Sequence, residues 1–116
     1  MAGIQRWGES TRWSDMVVHG QTAYWVEVAD DPSQNAAGQI AQVLAQIDAT
    51  LQRLGSSRDR LLQVMIYLAD LADGPELNRQ WDAWVAPSAP PVRACVQAGL
   101  SPGYLVEMLI TAATDS

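Results

Sequence analysis

The sequence has no lysine, no phenylalanine, one cysteine and one histidine. All of its seven basic residues are arginines, set against thirteen acidic ones for a formal net charge of −6. Without lysine there is no Schiff-base amine and no phosphate-binding P-loop. A single cysteine precludes an intramolecular disulfide, and with a single histidine it cannot form a Cys/His zinc cluster within one chain. A Ser-His-Asp arrangement could be built only around His19. The acidic balance works against non-specific RNA or DNA binding, which draws on clustered cationic side chains. No apolar run reaches 18 residues, so no membrane span is expected. The opening Met1–Trp7 stretch lacks the apolar core of a signal peptide, and the lone thiol suits the reducing cytoplasm.

What is present points to one domain spanning 1–116, close to the commonest domain size. Five tryptophans and a 48% hydrophobic content are generous for a chain this short. A domain of this length buries only around two-thirds of its unfolded surface, so some apolar area is expected to meet a partner chain. Short extended runs fall at Ile4–Trp7, Met16–His19 and Thr22–Val28, with Gly20-Gln21 as a tight turn. After Asp30-Asp31-Pro32-Ser33, the residues Ile40, Leu44, Ile47, Leu51 and Leu54 recur at intervals of 4, 3, 4 and 3, the spacing of one helical face. Gly55 would stop that helix. Leu62–Leu68 reads as a strand. Asp73-Gly74-Pro75-Glu76 reads as a helix start with Asp73 as N-cap, and Leu77, Trp81 and Trp84 or Val85 share its apolar face. Prolines 87, 90 and 91 close it. Two strands, Val92–Ala98 and Tyr104–Ala112, finish the chain.

The expected order is β-β-β-α-β-α-β-β, an α+β domain with two helices on one face of the sheet. The last strand is largely apolar on both faces, so the face without helices is expected to meet other subunits.

Chemistry concentrates in Pro90-Pro91-Val92-Arg93-Ala94-Cys95-Val96-Gln97. Strand alternation puts Arg93, Cys95 and Gln97 on one face, expected at the subunit contact, and Val92, Ala94 and Val96 on the other, expected beneath the helices. If the last two strands form an antiparallel hairpin, Cys95 lies opposite Glu107 and Arg93 is its diagonal neighbour. Arg93 and Glu107 would then share a site. A structural ion pair explains the same arrangement, and an Arg and a Glu on adjacent strands more often form one. Cys95 reads first as a small inert core residue, His19 as solvent-facing, and Trp81 and Trp84 as core or interface anchors rather than a ligand-stacking box.

These segments together resemble the RidA/YjgF family, in particular its short bacterial branch, from about Arg12 to Ala113. The resemblance is carried by Arg12-Trp13-Ser14-Asp15, by Leu44–Asp48 with Leu54-Gly55, by Ile66-Tyr67-Leu68-Ala69-Asp70 and by Asn78-Arg79-Gln80-Trp81-Asp82-Ala83-Trp84. It is sharpest in Ala89–Leu100 followed by Val106-Glu107. It implies a chorismate-mutase-like fold with a mixed sheet, assembled as a homotrimeric barrel with active sites between subunits. It implies a cofactor-independent deaminase that hydrolyses enamines and imines, such as 2-aminoacrylate, to 2-oxo acids and ammonia. No metal is implied, and the partner is a small 2-imino or 2-oxo acid rather than nucleic acid or membrane.

By the same resemblance, Arg93 grips the substrate carboxylate, Glu107 positions a water, and Cys95 lines the site through its backbone. Trp13, Tyr24 and Asn78 are further candidate substrate-binding residues. The family's small Ser-Gly motif aligns with Val26 and Glu27, which carry neither the hydroxyl nor the glycine, and Trp13 stands nearest an early family tyrosine. A binding protein for 2-oxo acids without turnover is the alternative expectation, followed by the endoribonuclease or translation-inhibitor role attached to some members.

Overall fold

The computed structural model describes residues 3–114; Met1 and Ala2, at the start of the segment examined for a leader, lie outside them. Six strands and two α-helices follow one another along the described residues: β1 (Ile4–Trp7), β2 (Met16–His19), β3 (Thr22–Val28), α1 (Ala36–Arg53), β4 (Leu61–Leu68), α2 (Gly74–Trp84), β5 (Val92–Gln97) and β6 (Val106–Ala113). The first three strands have the bounds that the sequence suggested. No described helix is long and apolar enough to cross a membrane.

Helix α1 begins where the Asn35 side chain accepts a hydrogen bond from the Gly38 amide. It ends at Gly55, whose φ of +66° permits bonds from Gly55 N–H to the Gln52 carbonyl and from Ser56 N–H to the Leu51 carbonyl. Its buried face carries Ile40, Val43, Leu44, Ile47 and Leu51, each no more than 4% exposed. Burying such side chains contributes roughly 1.5–3 kcal/mol apiece. Helix α2 starts after Asp73, but the carboxylate of that residue makes no capping bond. Asp70 caps the preceding 3-10 turn instead, accepting from the Ala72 amide. Leu77, Trp81 and Trp84 turn inward from α2.

The sheet order is β1-β2-β3-β6-β4-β5, with β4 and β5 parallel and every other neighbouring pair antiparallel. Both helices lie on one face, over Ala23, Trp25, Val64, Ile66, Leu68, Met108, Ile110 and Ala112. The expected hairpin between the last two strands is overturned, because β4 lies between β5 and β6. Joining parallel strands requires a crossover, and α2 supplies it between β4 and β5. The following chain then passes the end of β4. There the Ala98 amide donates to the Leu68 carbonyl, and the Ala69 amide to the Leu105 carbonyl.

This pairing reverses the assignment of faces on β5. Arg93 pairs with Val64, Cys95 with Ile66 and Gln97 with Leu68, so all three lie on the helix side. Val92, Ala94 and Val96 face the bare side instead. Exposed apolar residues collect on that side, among them Tyr24, Val26, Val92, Val96 and Leu109.

Candidate functional site

Arg93 lies on β5, which closes one edge of the sheet, on the face covered by α2. Its Nη1 donates to Asn78 Oδ1 at 2.9 Å, and its guanidinium carbon sits 5.3 Å from the centroid of the Trp81 ring. Asn78 and Trp81 are three residues apart on α2, so one helical turn presents both toward the strand. Neither partner is anionic. Arg58 and Arg79 differ in this respect, forming ion pairs with Asp48 and Glu76 at 2.7 and 2.6 Å. Arg93 is thus oriented by neutral groups. Cys95 follows on the same face, and burial pushes its thiol up from the ordinary value, against a smaller opposing pull from the Arg93 charge. Gln97, next on that face, accepts from the Leu71 amide at 3.0 Å.

Glu107 is elsewhere. It pairs with Tyr67 on β4 and Val28 on β3, on the bare face and half-buried. Among the described residues, its carboxylate has no hydrogen bond or ion pair. Arg93 and Glu107 therefore occupy opposite faces of the same chain, and the expected diagonal contact does not form. The reason is the parity of strand pairing: Val64 pairs with both Arg93 and Ile110, so Arg93 shares a face with the even-numbered buried residues of β6.

The remaining candidates divide between these two places. Asn78 contacts Arg93 directly. Tyr24 lies on the bare face opposite Thr111 and is 45% exposed. Trp13 lies in the β1–β2 connection, 61% exposed. Val26 faces the bare side beside Leu109, whereas Glu27 points beneath α1. There its carboxylate accepts from Gln46 Nε2 at 2.9 Å and from Trp25 Nε1 and Thr50 Oγ1 at 3.2 Å each. Glu27 consequently ties β3 to α1. His19 is exposed at the end of β2.

Trp81 is buried in the core, as its reading as an anchor suggested, and its ring also meets the Arg93 guanidinium, a contact the sequence reading did not include. The usable signal was Asn78 and Trp81 at helical spacing on a helix joining two strands, because such a helix must lie over the second strand. Sequence reasoning also missed Gln39, which is fully buried and brackets the connection before β6. Its Nε2 lies within hydrogen-bonding reach of the carbonyls of Pro32, Gln34 and Gly103, and its Oε1 accepts from the Leu105 amide. Two clefts open on the helix side. One, of about 650 Å³, lies between α1 and α2, and the other, of about 720 Å³, lies beside Trp7, Trp25 and Glu27. Neither is lined by Arg93 or Glu107.

Comparison with known proteins covers the whole described chain. The family model described as endoribonuclease L-PSP matches residues 3–114. The chain is 45% identical over 111 residues to the RutC family protein YoaB of Escherichia coli, covering 95% of this chain and 97% of that one. A solved structure from Pseudomonas aeruginosa superposes with a TM-score of 0.90 at 41% identity, covering 97% of this chain and 100% of that one. A YjgF-family structure from Neisseria meningitidis gives a TM-score of 0.88 at 40% identity, covering 98% and 97% respectively.

Proposed function

The chain belongs to the endoribonuclease L-PSP family, the group that holds the RutC and YjgF proteins, and on that footing we propose that it is a cofactor-independent deaminase of reactive enamines and imines. Its substrates in this reading are 2-imino acids such as the imine tautomer of 2-aminoacrylate. Its products are a 2-oxo acid and ammonia. The observation that carries the reading is Arg93, a guanidinium held in place by Asn78 and Trp81 without a carboxylate to neutralise it.

The chemistry needs little more than placement. The planar fork of Arg93 takes the substrate carboxylate through two parallel hydrogen bonds. Water adds to the C=N carbon and its proton moves to nitrogen, giving a carbinolamine. Collapse of that intermediate forms the C=O bond and releases ammonia. Glu107 orients the attacking water, takes its proton as the C–O bond forms and passes that proton on to the nitrogen. The C=N carbon is already electrophilic, so positioning and electrostatics supply most of the acceleration.

Arg93 and Glu107 lie on opposite faces of one chain, so the complete site requires a second copy. The bare face, with Tyr24, Val26 and Leu109 exposed around Glu107, supports assembly of that face against neighbouring subunits. A closed homotrimer would repeat the same contact three times and leave no bare sheet face over. The site then lies between subunits, with Arg93 from one and Glu107 from the next. Cytoplasmic residence fits the single reduced thiol.

The test generates imines in situ from several amino acids with an amino-acid oxidase and follows the appearance of 2-oxo acid. The protein should accelerate release, and Arg93→Ala should reduce kcat/KM by about 100-fold or more. Normal turnover by Arg93→Ala would overturn the mechanism.

A second reading, binding of 2-oxo acids without turnover, is favoured by β3. Val26 offers no hydroxyl, and the Glu27 carboxylate is already occupied by three donors. Saturable pyruvate binding with no hydrolysis of any imine would select it. RNA cleavage, the activity in the family description, fits poorly with a net charge of −6 and with arginines 58 and 79 already paired.

A further inference from the structure

We propose that Asn78 and Trp81 are positioning residues whose task is to fix the Arg93 guanidinium while leaving its charge uncompensated. The inference rests on the reading of Arg93 as the carboxylate anchor and extends it to how the anchor is kept ready.

An arginine near the edge of a sheet has two common fates. It swings freely in solvent, or it closes on a nearby carboxylate. Arg58 shows the second outcome in this chain: Nε and Nη2 make a two-pronged contact with Asp48, and Nη1 donates to the Trp84 carbonyl. Arg93 has a comparable setting, beside a helix and over a tryptophan ring, with the guanidinium carbon 5.3 Å from Trp81 where that of Arg58 lies 5.2 Å from Trp84. The two sites differ in the polar partner. Asp48 cancels the charge of Arg58, whereas the amide oxygen of Asn78 orients Arg93 and cancels nothing.

The guanidinium lies over the indole ring and the amide holds one Nη1 hydrogen. Among the described residues, Nε and Nη2 have no protein partner, so an incoming carboxylate can still bind through two donors. Immobilising the long side chain before the ligand arrives removes much of the ordering cost from binding. The amide at position 78 is therefore functional for what it lacks, a negative charge. A carboxylate there would form the ion pair that occurs at Arg58, and the anchor would be occupied.

The experiment is Asn78→Asp, with pyruvate binding measured by calorimetry and imine hydrolysis measured alongside. Asn78 is exposed on α2, so the substitution should leave the unfolding midpoint unchanged or raised, because it adds an ion pair. Pyruvate affinity should fall by about ten-fold or more, and any hydrolysis should show the loss in KM rather than kcat. A structural role alone would predict the reverse pattern, a lowered unfolding midpoint with unchanged pyruvate affinity of the folded protein. Asn78→Ala, which removes the tether without adding charge, should raise the pyruvate Kd by about three- to ten-fold at unchanged fold stability.

Wild-type affinity in both variants would overturn the inference. Arg93→Ala run in parallel separates the two levels of the argument. If Arg93→Ala also binds pyruvate normally, the anchor reading itself fails. If only Arg93→Ala loses binding, the anchor stands and the positioning role is wrong.

Discussion

Replacing Gln39 by methionine should destabilise the fold more than any other volume-conserving change on α1. The side chain is completely buried at the start of the helix and faces four backbone groups. Its amide nitrogen lies 3.1, 3.0 and 2.9 Å from the carbonyls of Pro32, Gln34 and Gly103, and its oxygen lies 2.9 Å from the Leu105 nitrogen. Two amide hydrogens are shared among three carbonyls, so the net count is about three hydrogen bonds.

Each such bond contributes on the order of 1 kcal/mol, and a polar group left dry costs about 1–3 kcal/mol. Methionine fills the space but satisfies none of the four groups, so the expected loss is about 3 kcal/mol out of a total of about 5–15 kcal/mol. For a chain of this length that lowers Tm by about 12 °C. Urea unfolding at one fixed protein concentration gives the value directly, and fixing the concentration removes any contribution from assembly. Gln39→Glu should be worse than methionine at neutral pH, since a carboxylate would face three carbonyl oxygens. A loss below about 1 kcal/mol for Gln39→Met would refute the bookkeeping. It would mean that water or a shift of the 99–105 connection replaces the bracket.

Three further outcomes follow from side chains already described. The Arg79 guanidinium, and then the Gln80 amide, hold the Glu76 carboxyl down to about 2. Its folded value lies below the unfolded one, so its contribution to stability is present above about pH 4.5 and fades as pH falls toward 2. NMR titration should place the Glu76 midpoint near that value and move it up toward the ordinary carboxylate range in Arg79→Ala, with Gln80 still lowering it; a midpoint unmoved by that substitution would dismiss the contact. Burial raises the Cys95 thiol, so alkylation by iodoacetamide should be slower than that of a free thiol at neutral pH and should accelerate only in alkali. Mass spectrometry reads this, and labelling as fast as glutathione would contradict it. Leu109→Asp places a charge at the centre of the bare face, where Leu109 is 47% exposed. If the proposed assembly forms, sedimentation should show oligomers for the wild type and monomers for Leu109→Asp, while a monomeric wild type would remove the case for a shared site.

Much of this protein can be read from residue order, because the signals are local. A 4, 3, 4, 3 spacing of apolar residues specifies α1 through nothing but the pitch of a helix, and Gly55 ends it because a left-handed backbone is cheap only there. The apolar runs Thr22–Val28 and Tyr104–Ala112 likewise read as strands, the second observed as Val106–Ala113. The chemistry-bearing stretch from Pro90 to Gln97 stands out for the same reason, with Arg93 as its charged member, and Glu107 stands out on the last strand.

What residue order did not contain was which strands touch. Strand alternation tells that Arg93 and Cys95 share a face, but the identity of that face depends on the neighbour supplied by the rest of the chain. Once α2 carries the chain across and β4 fills the place beside β6, parity sends Arg93 under the helix and leaves Glu107 on the open side. A local reading pairs neighbours in sequence because it has no term for a strand already occupying the position. The same pairing brings Asn78 and Trp81 to Arg93 and takes Glu107 away from it, so the folded chain presents an oriented cation on one face and a carboxylate on the other.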